Sequence, residues 1–194
     1  VTEGRLQHVA VVGHAVIAVG GGDGQHEGLA VMAATEFHAA VHGATLALQG
    51  GITVGAEALN ISGTGVSGDG ALRNLGGNNT LGGTVTLAGD AEIQSDAGIL
   101  TLNAANSVTG ATRGLTLDGA GNTTINGTIT TTSGTLTKNG AGTLTLFGTN
   151  TYTGITTVNA GTLNITGSTG AALQTSGLIV AAGATFSVVN GVGQ

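Results

Sequence analysis

The stretch from Gly134 to Thr166 reads GTLTKNGAGTLTLFGTNTYTGITTVNAGTLNIT, and it decides the fold. Short runs such as Leu144-Thr145-Leu146 and Leu163-Asn164-Ile165 alternate aliphatic and polar residues, with Gly close by. Alternation with a period of two is the pattern of a β-strand that buries one face. Gly and Asn tolerate the positive φ angles of sharp turns. The stretch therefore predicts short strands separated by tight turns.

The same alternation recurs outward from this stretch in both directions. We predict that its aliphatic positions form the core, with Leu46, Leu48, Val85, Leu87, Leu115, Leu117, Leu144, Leu146, Leu163 and Ile165 as its structural members. Many short strands without helical connections are typical of a sandwich, a barrel or a solenoid. The chain has only three Phe, one Tyr and no Trp, which disfavours the wider cores of the first two. The sequence thus predicts an all-β fold, a parallel β-solenoid of about 10 coils with roughly 20 residues in each.

Composition and charge exclude several classes of protein. Among 194 residues, 38 are Gly and none is Pro or Cys. A helical bundle is disfavoured, because each Gly in a helix costs about 1 kcal/mol relative to Ala, and there is no disulfide or thiolate site. The net charge is −6 with only four Lys and Arg residues, so no basic stripe can bind nucleic acid. The longest apolar run, 9–19, is too short to span a membrane as a helix.

The strand pattern is less regular in the first 50 residues, so we divide the chain into two regions. We predict irregular coils or a cap in 1–50 and the solenoid proper in 51–194. Residues 29–41 fit a strand pattern, although a helix is also compatible with them. Val12–Gly22 resembles Val41–Gly51, which favours further coils. No signal peptide is visible and the chain begins at Val1, so we expect a mature or excised piece of a longer product.

The stretch 134–166 closely resembles the passenger-associated repeat of bacterial autotransporter proteins. The matching elements are Leu136-Thr137-Lys138, Gly140-Ala141-Gly142-Thr143-Leu144-Thr145-Leu146, Asn150-Thr151-Tyr152-Thr153-Gly154-Ile155-Thr156 and Gly161-Thr162-Leu163. The resemblance implies a right-handed parallel β-helix that is exported and displayed outside the cell. We expect a single strong copy, with 60–133 forming the degenerate coils that accompany such repeats.

Two residues of this repeat carry specific expectations. Lys138 shares the parity of Leu136, so a strand continuing through it would point a charge inward. We therefore predict that the strand ends there and that Lys138 turns outward. Tyr152, the only Tyr, is predicted to be a packing anchor with its hydroxyl at the surface.

Metal sites have two candidates. Glu36, His38 and His42 share one parity, and neutral imidazoles could gather there around Zn²⁺ or Cu²⁺; the alternative is a solvated outer face. Calcium could be bound near Gly20–Gly24 and at Gly68-Asp69-Gly70, but tandem repeats of the calcium solenoid type are missing, which favours ordinary turns. We predict neither a metal nor a cofactor.

Enzymatic activity has one candidate cluster. Asp90, Glu92 and Asp96 are close in sequence, and paired carboxylates hydrolyse glycosidic bonds. No aromatic or basic residue lies near them, which favours a solvated acidic edge. No Gly-x-Ser-x-Gly elbow occurs either. The sequence predicts that the chain is not an enzyme.

The combined prediction is an extracellular or cell-surface structural protein without catalysis. Low charge and open coil ends favour head-to-tail self-association into a fibre, filament or stalk. One alternative is an autotransporter-type adhesin passenger fragment that contacts host or cell-surface glycans. Another is an ice-binding solenoid, because Thr143-Leu144-Thr145, Thr149-Asn150-Thr151 and 128–132 resemble the Thr-x-Thr ranks of such proteins.

Overall fold

The computed structural model describes the backbone of residues 17–20, 29–30, 39–42, 45–167 and 174–190, and the side chains of 45–166 and 174–189. In these ranges the chain forms strands and one 3-10 turn, Val66–Gly68, without any α-helix. The strands are β1 (Ile17–Gly20), β2 (Leu29–Ala30), β3 (Ala39–His42), β4 (Thr45–Gln49), β5 (Thr53–Val54), β6 (Leu59–Gly63), β7 (Leu72–Gly76), β8 (Asn78–Leu81), β9 (Val85–Ser95), β10 (Ile99–Leu102), β11 (Asn106–Thr109), β12 (Leu115–Asp118), β13 (Asn122–Ile125), β14 (Thr128–Thr130), β15 (Leu136–Lys138), β16 (Thr143–Leu146), β17 (Thr156–Val158), β18 (Thr162–Gly167), β19 (Leu178–Val180) and β20 (Thr185–Asn190).

The strands from β3 onward stack into three parallel ladders around one interior. Face I contains β5, β8, β10, β13, β16, β18 and β20. Face II contains β3, β6, the first part of β9, β11 and β14, and face III contains β4, β7, the second part of β9, β12, β15, β17 and β19. From β5 to β15 the chain passes through faces I, II and III in that order in each coil, and in the later coils no described strand lies on face II. The fold is therefore a parallel β-solenoid, as the sequence predicts.

The number of coils differs from the prediction. The seven strands of face I define six turns, whereas the sequence led us to expect about ten. Side-chain hydrogen bonds between adjacent coils join residues 19 to 27 positions apart, so many coils are longer than expected because their corners hold extra residues. In addition, β1 pairs antiparallel with β4, and β2 pairs antiparallel with β1, so these two strands add no turns.

The N-terminal ladders begin before residue 51. β3 pairs in parallel with β6, and β4 pairs in parallel with β7. Within 29–41, the described residues belong to the strands β2 and β3. The rest of that segment lies outside the described residues.

Alternation places the aliphatic side chains inside and Thr outside. All ten side chains that the sequence marks as core are at most 3% exposed. They belong to one continuous hydrophobic cluster that runs through every described coil. Because each coil buries its aliphatic residues only against its neighbours, this cluster holds the stack together.

Glycines stack at the corners where the chain turns between faces. A Cβ at Gly140 would collide with the carbonyl oxygen of Gly119 in the coil below, and one at Gly161 would collide with that of Gly142. Gly119 and Gly161 also have positive φ angles, +102° and +65°, which favour Gly. The high Gly content therefore serves close stacking of the coils at their corners.

Candidate functional site

The most distinctive local chemistry lies in the coil around residues 136–165, where polar side chains enter the interior. Lys138, Asn150 and Thr156 are all at most 3% exposed, and Tyr152 is fully buried. Buried polar groups must be hydrogen-bonded to be tolerated. Each of the four has a hydrogen-bond partner.

Lys138 points inward, and the prediction that it turns outward is wrong. It is the last residue of β15 and pairs with Leu117 on one side and Val158 on the other. Its Nζ donates a hydrogen bond to the backbone oxygen of Gly140. Burial lowers the pKa of Lys138, and the carboxylate of Asp118 opposes that change. The ladder continues through Lys138 because the turn supplies a carbonyl for its charge.

Tyr152 is also buried to its tip, contrary to the expectation of a surface hydroxyl. Its Oη lies 2.8 Å from the Oγ1 of Thr156, which is itself buried. Burial raises the pKa of Tyr152 to about 12, against the lowering effect of the hydrogen bond with Thr156. The hydroxyl stays inside because a buried partner lies four residues further along the chain.

Asn150 and Thr156 connect this coil to both of its neighbours. The Asn150 Oδ1 accepts a hydrogen bond of 3.0 Å from the backbone N–H of Ile129 in the preceding coil. Its Nδ2 donates to the oxygen of Gly148 at 2.9 Å. On the other side, the N–H of Thr156 donates to the Oγ1 of Thr175 in the following coil at 3.0 Å. The interior polar groups thus fix the position of the coil and leave no reactive group free among them.

The acidic residues that the sequence singled out lie on face III and at its edges. Asp96 accepts a 2.7 Å hydrogen bond from Arg73 Nε, and Asp69 accepts a 2.6 Å bond from Arg73 Nη1. Gln94 Nε2 donates to the second oxygen of Asp96 at 2.6 Å. The expectation that no basic residue lies near the cluster is therefore wrong, because Arg73 is 23 residues away in sequence but in the adjacent coil.

Glu92 and Asp90 complete this cluster. Burial raises the pKa of Glu92, and the nearby carboxylates of Asp118 and Asp69 raise it further. Asp90 accepts a 2.8 Å hydrogen bond from the N–H of Gly114, which gives it a structural contact between coils. The cluster is thus an outer row of carboxylates, two of which are ion-paired with Arg73.

The described residues do not test the first metal site that the sequence suggests. Glu36 and His38 lie outside them, and only the backbone of His42 is described, in β3 opposite Ser62. The prediction that these three residues hold no zinc or copper therefore stays untested. Where side chains are described, no group of three His, Cys, Asp or Glu side chains is placed to hold a metal ion. At the second candidate, Asp69 closes the 3-10 turn and pairs with Arg73.

The last described coil exposes its apolar side chains. Leu178, Val180 and Val188 lie in register with buried residues of the preceding coil, yet they are 40%, 41% and 55% exposed. In contrast, Leu46 and Ile61 of the first coil are at most 1% exposed. We call the side chains of Leu178, Val180, Phe186 and Val188 the terminal rung. Within the described residues nothing stacks on it.

A family model described as the passenger-associated-transport-repeat matches the chain at two stretches, 93–113 and 136–165. The second match is the stretch whose resemblance the sequence reveals, and the first overturns the expectation of a single strong copy. Comparison of the chain with curated proteins and with solved structures found no match. No helix in the described part of the chain is long and apolar enough to cross a membrane. The repeats and the solenoid together fit an autotransporter passenger-like domain.

The first match could have been found from the sequence. Nine of its residues recur at the same spacing in the second match, displaced by 44 positions: Ala97, Gly98, Leu100, Thr101, Leu102, Asn106, Thr109, Gly110 and Thr112 correspond to Ala141, Gly142, Leu144, Thr145, Leu146, Asn150, Thr153, Gly154 and Thr156. The likeness is concealed because Val108 stands where the second copy has Tyr152, and Ala105 stands where it has Thr149.

Proposed function

We propose, on the premise that two passenger-associated-transport repeats lie within one solenoid, that this chain is a structural scaffold of an exported passenger. It works outside the cell or at its surface and has no catalytic role. The observation that carries the proposal is the single hydrophobic core cluster, which passes through both repeats. Such an interior supports a rigid rod, since each coil is held by the next.

The arrangement of the polar groups supports a structural role. The buried Lys138, Asn150, Tyr152 and Thr156 side chains of the second repeat hydrogen-bond with one another or with nearby backbone groups. The outer carboxylates of Asp69 and Asp96 are bound to Arg73. Replacing Glu92 with Gln in a protein assayed on polysaccharides is the direct check, because an activity lost in that variant would contradict the scaffold.

We also propose that copies of the rod associate end to end. The terminal rung presents apolar side chains, and β20 is the last strand of the face I ladder, whose other end is β5. The outer edges of β20 and β5 carry backbone groups that no described strand pairs, and such edges pair readily. Contact between these two different ends is heterologous and does not close, so it generates a fibre.

The experiment is light scattering and negative-stain microscopy of the full chain and of two variants. Val188→Lys places a charge in the terminal rung, and Ser187→Lys places the same charge at the adjacent outward position of β20. Filaments should form with the unchanged chain and with Ser187→Lys, and they should be lost with Val188→Lys. A monodisperse monomer of the unchanged chain would contradict end-to-end association.

If the chain stays monomeric, the alternative function is that of an adhesin. A rod that does not assemble but binds host or cell-surface glycans would be an adhesin passenger segment. Binding of the monomer to a glycan array separates this alternative from a scaffold that only assembles. The chemistry of the described surface names no particular glycan.

A further inference from the structure

Face I differs from face III in the side chains that it presents to solvent, and it holds more described strands than face II. None of the outward residues of its described strands is charged. They are Thr53, Asn78, Thr80, Ile99, Thr101, Asn122, Thr124, Thr143, Thr145, Thr162, Asn164, Thr166, Thr185, Ser187 and Val189, all of them partly or fully exposed. All but Ile99 and Val189 carry a hydroxyl or an amide group. The face is thus polar but without charge.

The described charged side chains lie elsewhere. Lys138 points into the interior. The remaining ones belong to the strands of face III or to turns: Glu57, Asp69, Arg73, Asp90, Glu92, Asp96, Arg113 and Asp118. Thr columns occur on all three faces, for example Thr116, Thr137 and Thr157 on face III. Face II is uncharged as well, but it holds five described strands against seven on face I, so face I is the larger of the two uncharged faces. The presence of Thr alone does not distinguish it.

The hydroxyl groups of face I are arranged in two dimensions. Thr80, Thr101, Thr124 and Thr145 are direct register partners in four successive coils. A second column, which includes Asn122 and Thr143, runs two residues before it. Neighbouring strands lie about 4.8 Å apart, and alternate residues along a strand are about 6.6 Å apart. The face is consequently a grid of neutral side chains, most of which carry a hydrogen-bonding group.

The size and composition of face I argue against two occupants. Seven strands of about four residues give a flat area of roughly 400 Å², and a stable protein interface needs about 800 Å² from each partner. A second copy is therefore disfavoured. A sugar-binding surface normally offers aromatic platforms, yet the only described aromatic side chain beside this grid that is exposed is Phe147, at its edge.

We propose that face I binds the surface of ice, a function beyond the scaffold. Ice presents a neutral lattice of hydrogen-bond donors and acceptors that repeats in two dimensions, as the grid does. A Thr hydroxyl both donates and accepts, so each coil can hold water at lattice positions. Charged side chains would impose their own hydration shells, and face I has none. We choose ice as the ligand because the side chains of face I are neutral and periodically spaced.

The test compares two substitutions of the same kind in the full chain. Thr124→Lys introduces a charge in the middle of the face I grid. Thr137→Lys introduces the same charge at a similarly half-buried position in the Thr column of face III. Freezing-point hysteresis and inhibition of ice recrystallisation are measured at millimolar protein, and circular dichroism verifies that both variants fold.

The unchanged chain and Thr137→Lys should both show hysteresis, and Thr124→Lys should lose most of it. Absence of hysteresis in the unchanged chain would overturn the proposal, as would equal losses in both variants. Retention on crystalline cellulose that Thr124→Lys abolishes, without any effect on ice, would also overturn it and identify a polysaccharide as the occupant. Dimerisation abolished by Thr124→Lys would do the same in favour of a second copy.

Discussion

The two passenger-associated-transport repeats share their motif residues but use them differently. Asn150 of the second repeat is fully buried and binds the backbone of Ile129. Its counterpart Asn106 is exposed and accepts a 2.9 Å hydrogen bond from the Thr128 hydroxyl. In the first repeat it is instead Ser107 that is buried, where it donates to the oxygen of Ala104 at 2.7 Å.

The length of the coil explains this difference. Leu100 and Leu144 occupy equivalent positions of the face I ladder, two coils apart with Thr123 between them, and Leu115 and Thr156 are likewise equivalent on face III, with Leu136 between them. The first repeat takes 15 residues from Leu100 to Leu115, and the second takes 12 from Leu144 to Thr156. The motif therefore fixes the face I strand, while the length of the following segment decides which later residues turn inward.

The largest expected effect concerns the residue that fills the interior of the second repeat. Tyr152→Ala should destabilise the protein by about 3–5 kcal/mol, the range for large aromatic residues in cores. Val108→Ala, at the corresponding position of the first repeat, removes a smaller buried side chain and should cost less. Urea unfolding followed by circular dichroism measures both. Equal costs would show that the two repeats are packed alike.

The Asn pair gives the next largest difference. Asn150→Ala leaves the buried N–H of Ile129 without its partner, which should cost about 1–3 kcal/mol. Asn106→Ala removes an exposed contact and should change the free energy of unfolding by less than about 0.5 kcal/mol. The same unfolding experiment distinguishes them, and a comparable loss in Asn106→Ala would contradict the different placement of the two side chains.

A smaller effect of opposite sign is expected at Thr112. This residue has a φ of +60° and lies exposed at the corner, and β-branched residues are strained there. Thr112→Gly should therefore stabilise the protein by up to about 1 kcal/mol. Its counterpart Thr156 lies in a strand and binds Tyr152, so Thr156→Gly should destabilise. Thermal melts of the two variants should shift in opposite directions.

The most gradual effect is the pH dependence that arises from Lys138. Because burial lowers the pKa of Lys138 in the folded protein, the unfolded chain binds more protons at alkaline pH. Stability relative to Lys138→Met should thus rise as the pH increases through the lowered pKa toward the ordinary value for lysine. The raised pKa of Tyr152 affects both proteins equally and cancels in the difference. Parallel pH profiles would show that the Lys138 amine is not desolvated.

Strand alternation made much of the fold predictable. The period of two that places Leu144 and Leu146 inside also places Thr143 and Thr145 outside, and parallel stacking repeats this arrangement in each coil. A chain nearly without aromatic residues leaves the narrow solenoid as the architecture that its side chains can fill. The number of turns was not predictable, because it depends on the lengths of corners that carry no alternation.

The interior polar groups were beyond the reach of the sequence for a different reason. The parity of Lys138 indicates an inward side chain, but the cost of burying a charge argues for the opposite. Only the structure shows that the backbone oxygen of Gly140 accepts a hydrogen bond from the Lys138 amine. Likewise, the partner of Tyr152 is Thr156, across a segment without a strand. Contacts between coils, such as Arg73 with Asp96, join residues that no local pattern relates.

The variable corners have an evolutionary consequence. Coils of different length stay in register because the added residues leave the ladder at the corners and return to it at the same place. An insertion at such a corner alters the outline of one coil without shifting any buried side chain of the next. Decoration of the surface and length of the rod can accordingly change independently, one through small insertions and the other through gain or loss of whole coils.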